Sequence, residues 1–200
     1  MLTGSYRWNP GCHSRTVRSG QYRGKASTVE ALDASYVAGF LDGDGSIHFH
    51  LVRQRDFRFG FYTRASVSFS QASKARAGLE YLRSMVGAGC LRDRGTGMSD
   101  LVITSRPVIF ELLRDVEPYV VFKRDHVRTA LALLPRLDRI PDSESFLQLA
   151  RDVDAFAALN YSKRKQVTAA DLEQYLRSKG VLCPCNDFLA RYSEEMASSG

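Results

Sequence analysis

The 200-residue chain contains no run of about 18 apolar residues, so no membrane-spanning helix is expected. Its opening, Met1-Leu2-Thr3-Gly4-Ser5-Tyr6-Arg7-Trp8, lacks the apolar stretch of a secretory signal. Cysteine is scarce, at Cys12, Cys90, Cys183 and Cys185 only. With nothing pointing to secretion, free thiols in a reducing compartment are expected. Cys183-Pro184-Cys185 is a C-x-C pair and not a C-x-x-C pair, and would need Cys12 and His13 to complete a zinc site. Four histidines in all argue against a His-rich metal centre.

Lysine is also sparse. There are 6 Lys against 22 Arg, and 22 acidic residues against 28 basic ones leave a net charge of +6. The sequence pI of about 9.3 is a first footprint of nucleic-acid binding. Arginine offers planar, bidentate contacts to phosphate and guanine. The same bias follows from GC-rich coding, which favours a bacterial cytoplasm over an AT-rich organelle (chloroplast or mitochondrion) as the host compartment.

Residues 1–32 read as a basic N-terminal arm, rich in Gly, Ser and Arg, with Tyr6, Trp8 and Tyr22 and no apolar period through residue 27. Helical spacing runs from Ser27 to Asp42, with Asp33 or Ser35 as its cap and Gly43 and Gly45 ending it. Two alternating stretches follow. In the first, Ile47, Phe49 and Leu51 face one way and His48, His50 and Val52 the other; in the second, Phe61, Thr63, Ala65, Val67 and Phe69 are assigned to the core. Ser73–Val86 reads as a helix with Leu79, Leu82 and Met85 inward, and residues 90–94 and 100–104 as a second hairpin. Helices are expected at 107–117, 123–134, 143–159, 168–179 and 186–196.

This order predicts an α+β fold: a four-stranded antiparallel sheet with helices on its apolar face, followed by C-terminal helices. The other face is left polar. An Arg/Ser/His/Tyr sheet face suits a DNA major groove, which admits two-stranded ribbons.

The most informative segment is Tyr36-Val37-Ala38-Gly39-Phe40-Leu41-Asp42-Gly43-Asp44-Gly45-Ser46-Ile47. Ala38 and Gly39 remove bulk from the helix, which allows a second helix to approach. Glycine inside a helix costs about 0.5–1 kcal/mol relative to Ala and so wants a packing reason. Asp42 and Asp44 stand where the helix dipole disfavours acids. A bound cation explains that placement, and hard oxygen ligands suit magnesium or calcium. An EF-hand is excluded, because Ile47 stands where its loop needs Gly and Arg53 where it needs Glu.

Val37 to Gly45 resembles the LAGLIDADG signature, and the chain resembles the single-motif homing endonucleases of the I-CreI group. Gly87-Ala88-Gly89, Arg92-Asp93-Arg94-Gly95, Pro118, Lys123, and Ala157-Ala158-Leu159-Asn160 with Ser162-Lys163 carry the resemblance over roughly 33–180. The expected organisation is an endonuclease domain at 33–180 and a helical tail at 181–200. The resemblance implies an αββαββα core, a saddle-shaped sheet and a homodimer joined through the motif helices, with Ala38, Gly39 and Asp42 at the interface. It implies cleavage of both strands of a long, partly palindromic DNA duplex, leaving 3′ overhangs, in intron homing. Mg²⁺ is the implied cofactor, with Mn²⁺ as substitute and Ca²⁺ permitting binding without cleavage. An intron-RNA maturase, alone or combined with cleavage, is the alternative on the same scaffold.

By the same resemblance, Asp44 is the catalytic metal ligand, with the Gly43 carbonyl as a further ligand. Gln71 positions water, and Lys123 stabilises developing charge on the phosphate. The resemblance makes Asp42 more structural than catalytic. The family's Arg four residues beyond the Gln is here Ala75, with Lys74 and Arg76 as neighbouring substitutes. Base readers are expected among His48, His50, Gln54, Tyr62, Arg64, Ser66, Ser68, Arg92, Arg94 and Asp100. Lys163 and Lys165 are expected to hold phosphate. No membrane and no small-molecule substrate are expected.

Overall fold

In the computed structural model, residues 31–160 and 167–182 are described. The N-terminal arm, Lys163, Lys165, the C-x-C pair and the helix expected at 186–196 lie outside them.

Helix α1 (Ala31–Asp44) leads into strands β1 (Gly45–Arg53) and β2 (Phe61–Ala72). Helix α2 (Arg76–Val86) follows, then β3 (Cys90–Arg94) and β4 (Met98–Ile103), and helices α3 (Arg106–Val116), α4 (Arg124–Leu133), α5 (Ser143–Leu159) and α6 (Ala169–Ser178). The strands form one sheet in the order β1-β2-β4-β3. The β2–β4 and β4–β3 pairs are antiparallel, with Phe69 opposite Leu101 and Leu101 opposite Leu91. The αββαββα order and the strand alternation are as expected.

The chain divides into two compact units, Met1–His48 with Ala65–Asp138, and Phe49–Arg64 with Arg139–Gly200; β1 and β2 run from one into the other. In the first, Val67, Phe69, Leu101 and Ile103 on the sheet, Leu79 and Leu82 of α2, and Ile109, Leu113 and Val116 of α3 form a buried core. Ala34, Val37, Ala38 and Leu41 are the buried side of α1, which packs against α3. In the second, Phe49 meets Phe156 edge-on, Phe59 lies near Phe146, and Phe61 meets Tyr175 edge-on. Helices α5 and α6 pack together there.

Several local expectations are corrected. Asp33 and Ser35 lie within α1, and the Ser35 hydroxyl donates back to the Leu32 carbonyl, so neither caps its start. The helix also runs through Gly43 to Asp44 before the strand begins at Gly45. The stretch from Ser73 opens with a 3₁₀ turn, Ser73–Ala75, before α2 proper. Cys90 is disulfide-bonded and not a free thiol.

Candidate active site

Glycine sets the junction on which the site is built. A Cβ on Gly45 would lie 2.7 Å from the Leu41 Cα and 2.8 Å from its carbonyl oxygen. Only glycine lets the strand leave α1 that closely. Asp44, the last residue of the helix, is thereby held exposed at the corner between helix and sheet.

Gln71 reaches the same corner along β2. It follows the alternation of Val67 and Phe69, and so lies on the helix-covered face, opposite Ser99. At the strand end that face opens, and the Gln71 amide donates to Asp44 Oδ2 at 2.6 Å.

Lys123 comes from the segment before α4. Its ammonium donates to the carbonyls of Leu41 (2.8 Å) and Asp42 (2.7 Å), acceptors that the end of α1 leaves unpaired. A cation there complements the helix dipole. Burial pushes the Lys123 pKa below its usual value, against the opposing pull of Asp42 and Asp44. The three side chains expected to do chemistry thus converge from three separate elements.

Asp42 is compensated by the protein itself. Its Oδ2 accepts from the backbone N–H of Val121 (2.7 Å) and Phe122 (3.2 Å), and its Oδ1 from that of Lys123 (2.9 Å). It is disfavoured by its own helix but sits at the N-terminus of α4, where an anion is favoured. A bound cation is therefore unnecessary to explain Asp42; the exposed Asp44 carboxylate has the Gln71 amide as a partner.

The interface expectation also changes. Ala38 is fully buried inside the chain, and the Asp42 carboxylate is taken up within it. Gly39 is exposed, in line with Leu32 (85 % exposed), Tyr36 (51 %) and Gly43 along α1. A Cβ on Gly39 or Gly43 would meet nothing within 4 Å among the described residues. The packing reason for these glycines is therefore not found within the described chain.

On the polar side of the sheet, His48, His50, Tyr62, Arg64, Ser66 and Ser68 are half-buried and Arg92 and Arg94 exposed; Gln54, at the hairpin turn after β1, is exposed. Asp100 departs from its expected role as a base reader. It is buried, and its carboxylate accepts from the Ser70 hydroxyl (2.7 Å) and pairs with the Arg94 guanidinium. The register places Ser70 directly opposite Asp100, while Arg94, opposite Met98, reaches it diagonally across the β3–β4 pair. Asp100 therefore orients Arg94. Arg76 is likewise committed, to Glu80 and Asp93. Asp93 in turn accepts from Ser99, which bonds Ser73. Arg76 is not free to stand in for the Arg that the resemblance expects where Ala75 is. Sequence reasoning missed this network because Asp93 and Ser99 are joined by the hairpin register, and Arg76 and Ser73 reach them only through the fold.

The donor set fits a hard cation in a particular way. Among the described residues no three His, Cys, Asp or Glu gather as a closed cage. One exposed carboxylate and a nearby helix-end carbonyl suit magnesium, which keeps several waters and shares its shell with substrate phosphates. A cavity of about 560 Å³ in the second unit, lined by Arg53, Phe61, Asp171 and Tyr175 among others, contains none of these residues.

No protein-family model matches the chain. It is 29 % identical over 144 residues to the DNA endonuclease I-CreI of Chlamydomonas reinhardtii, covering 72 % of this chain and 88 % of that protein. It is 24 % identical over 151 residues to the DNA endonuclease I-CvuI of Chlorella vulgaris, covering 76 % and 94 % respectively. A crystal structure of I-CvuI in complex with its target in the presence of Ca superposes with a TM-score of 0.72 at 24 % identity, over 76 % of this chain and 97 % of that one. The archaeal intron-encoded homing endonuclease I-Vdi141I, complexed with DNA, gives a TM-score of 0.66 at 15 % identity, over 74 % and 96 %.

Proposed function

The chain is homologous to the single-motif LAGLIDADG homing endonucleases, and from that premise we propose that it is a site-specific DNA endonuclease acting as a homodimer on a long, partly palindromic duplex. The observation that carries this reading is the meeting of Asp44, Gln71 and Lys123 at one helix end.

In this reading Asp44, with the Gly43 carbonyl, holds a divalent cation at the scissile phosphate. Magnesium is the natural ion, with manganese able to replace it and calcium supporting binding alone. Held there by Asp44 and the Gly43 carbonyl, such an ion would supply Lewis-acid activation of water and charge stabilisation at the phosphate. Gln71 fixes the Asp44 carboxylate and orients a water beside it. The Lys123 ammonium supplies positive charge near the phosphate, where charge grows in the transition state. Arg92 and Arg94 on the polar sheet face suit bidentate contacts to guanine, with Arg94 held by Asp100 and Ser70. Each chain supplies one Asp44, so cutting both strands takes two chains. The open line of Leu32, Tyr36, Gly39 and Gly43 on α1 is the surface best suited to a second copy.

Cleavage of a randomised duplex library in Mg²⁺ and in Ca²⁺, by wild type and Asp44→Asn, tests this. Staggered cuts with 3′ overhangs in Mg²⁺, lost in Asp44→Asn while binding persists, are expected. Specific binding with no cut by the wild type would overturn the nuclease reading.

A further inference from the structure

The segment after α3 is held in an unusual way. Val121 and Phe122 are 66 % and 84 % exposed, so their side chains give the loop little anchorage. Val120 just before them is fully buried, but from Val121 onward the backbone is held by one carboxylate, as three consecutive N–H groups, those of Val121, Phe122 and Lys123, all point at Asp42. The Lys123 ammonium then returns to the carbonyls of Leu41 and Asp42. Two helix ends are thus joined reciprocally, with an anion from α1 on the N-terminus of α4 and a cation from α4's threshold on the C-terminus of α1. Both contacts carry the favourable sign of the helix dipole. Removal of the carboxylate leaves three donors without their acceptor and frees the backbone from which Lys123 projects.

The geometry points to Asp42 as the positioning residue for Lys123: its carboxylate sets where the ammonium stands relative to Asp44 two residues further on. This rests on the endonuclease reading for its catalytic consequence, but not for its structural one. Asp42 acts through Lys123, and its loss therefore costs nothing once Lys123 is gone.

The test is a double-mutant cycle on the full-length protein with Asp42→Ala, Lys123→Met and the double variant. Single-turnover cleavage is measured in Mg²⁺ and DNA affinity in Ca²⁺. Asp42→Ala should slow cleavage roughly 10–100-fold with affinity changed less than about threefold, and the double variant should be no slower than Lys123→Met alone. Multiplying effects, or an affinity loss as large as the rate loss, would overturn the assignment. Asp42→Asn keeps one oxygen acceptor, should fall between wild type and Asp42→Ala, and completes the cycle should the alanine variant not fold. A second readout needs no cleavage, namely amine labelling of Lys123 followed by mass spectrometry. Lys123 should label faster in Asp42→Ala and Asp42→Asn than in wild type, while Lys74 is unchanged. Equal labelling would overturn the positioning role. A wild type that cuts nothing would count against the endonuclease reading, and the labelling would still decide whether Asp42 holds Lys123.

Discussion

Lys123 is a cation whose surroundings pull both ways, with burial acting against its charge and Asp42 and Asp44 supporting it. In the endonuclease reading proposed above, its value to catalysis is charge placed where the phosphate gains charge. Lys123→Met should therefore cut single-turnover cleavage about 10²–10³-fold, the usual cost of losing one preorganised group of this kind. DNA affinity in Ca²⁺ should stay within a few-fold, and an equal fall in affinity would mean that Lys123 only binds ground-state phosphate. Gly45→Ala tests the junction itself. The added methyl would meet the Leu41 backbone at 2.7 Å, where neither partner can yield without moving the chain. A loss of about 1–3 kcal/mol in chemical denaturation is expected, together with slower cleavage as Asp44 shifts. Unchanged stability and rate would show that the junction has room. At this scale the resemblance named Asp44, Gln71 and Lys123 and made Asp42 structural, but what Asp42 holds left no sequence trace. Its partners are backbone N–H groups 79 to 81 residues away, and every non-proline residue carries such a group.

Helix boundaries were legible where side-chain chemistry marks them. Thr168 accepts from the Asp171 N–H, and the Asp171 carboxylate accepts from the Thr168 N–H. Thr168-Ala169-Ala170-Asp171 has the spacing of such a box, with Asp in place of Glu. Thr168→Ala should cost about 1 kcal/mol, read as a lower urea midpoint with unchanged slope. Asp142 caps α5 by accepting from the Ser145 N–H at 2.7 Å, the largest of the bonds that lower its pKa from 3.8. A folded-state pKa below the unfolded one means that the unfolded chain binds the extra proton. The stability from this cap is therefore complete above about pH 4 and lost as pH falls through the folded value. Asp142→Ala should lower the melting temperature at pH 7 and narrow the gap to wild type towards pH 2; a gap constant with pH would remove the carboxylate from the account. Helix α1 was the hardest element to orient from sequence. It is apolar on both sides, with Ala34, Val37, Ala38 and Leu41 buried and Leu32 and Tyr36 exposed, so periodicity names no inner face. Ala38 and Gly39 therefore read alike, yet one residue turns the helix about 100° and puts them on different sides.

For the whole molecule, one motif per chain and an open line of small and apolar residues on α1 argue for action as a pair. Gly39→Leu should leave the circular dichroism spectrum and the chain's own core intact, because nothing described lies within 4 Å of the new Cβ. It should raise the dimer dissociation constant at least tenfold, about 1.4 kcal/mol, by light scattering, and turn double-strand cuts into nicks or no cuts. A dimer as tight as wild type would place the interface elsewhere. The amino-acid sequence by itself determined the element order, the alternation of the first two strands, and the acid at the end of α1. These follow from local periodicity and from side chains that act on their near neighbours. Tertiary structure alone decided which side of α1 faces α3, that Asp100 is drawn onto Arg94, that Arg76 is also drawn to Asp93, and that Asp42 locks Lys123 in place. Those outcomes depend on strand register and on backbone groups brought together from distant parts of the chain, and no short-range pattern encodes them.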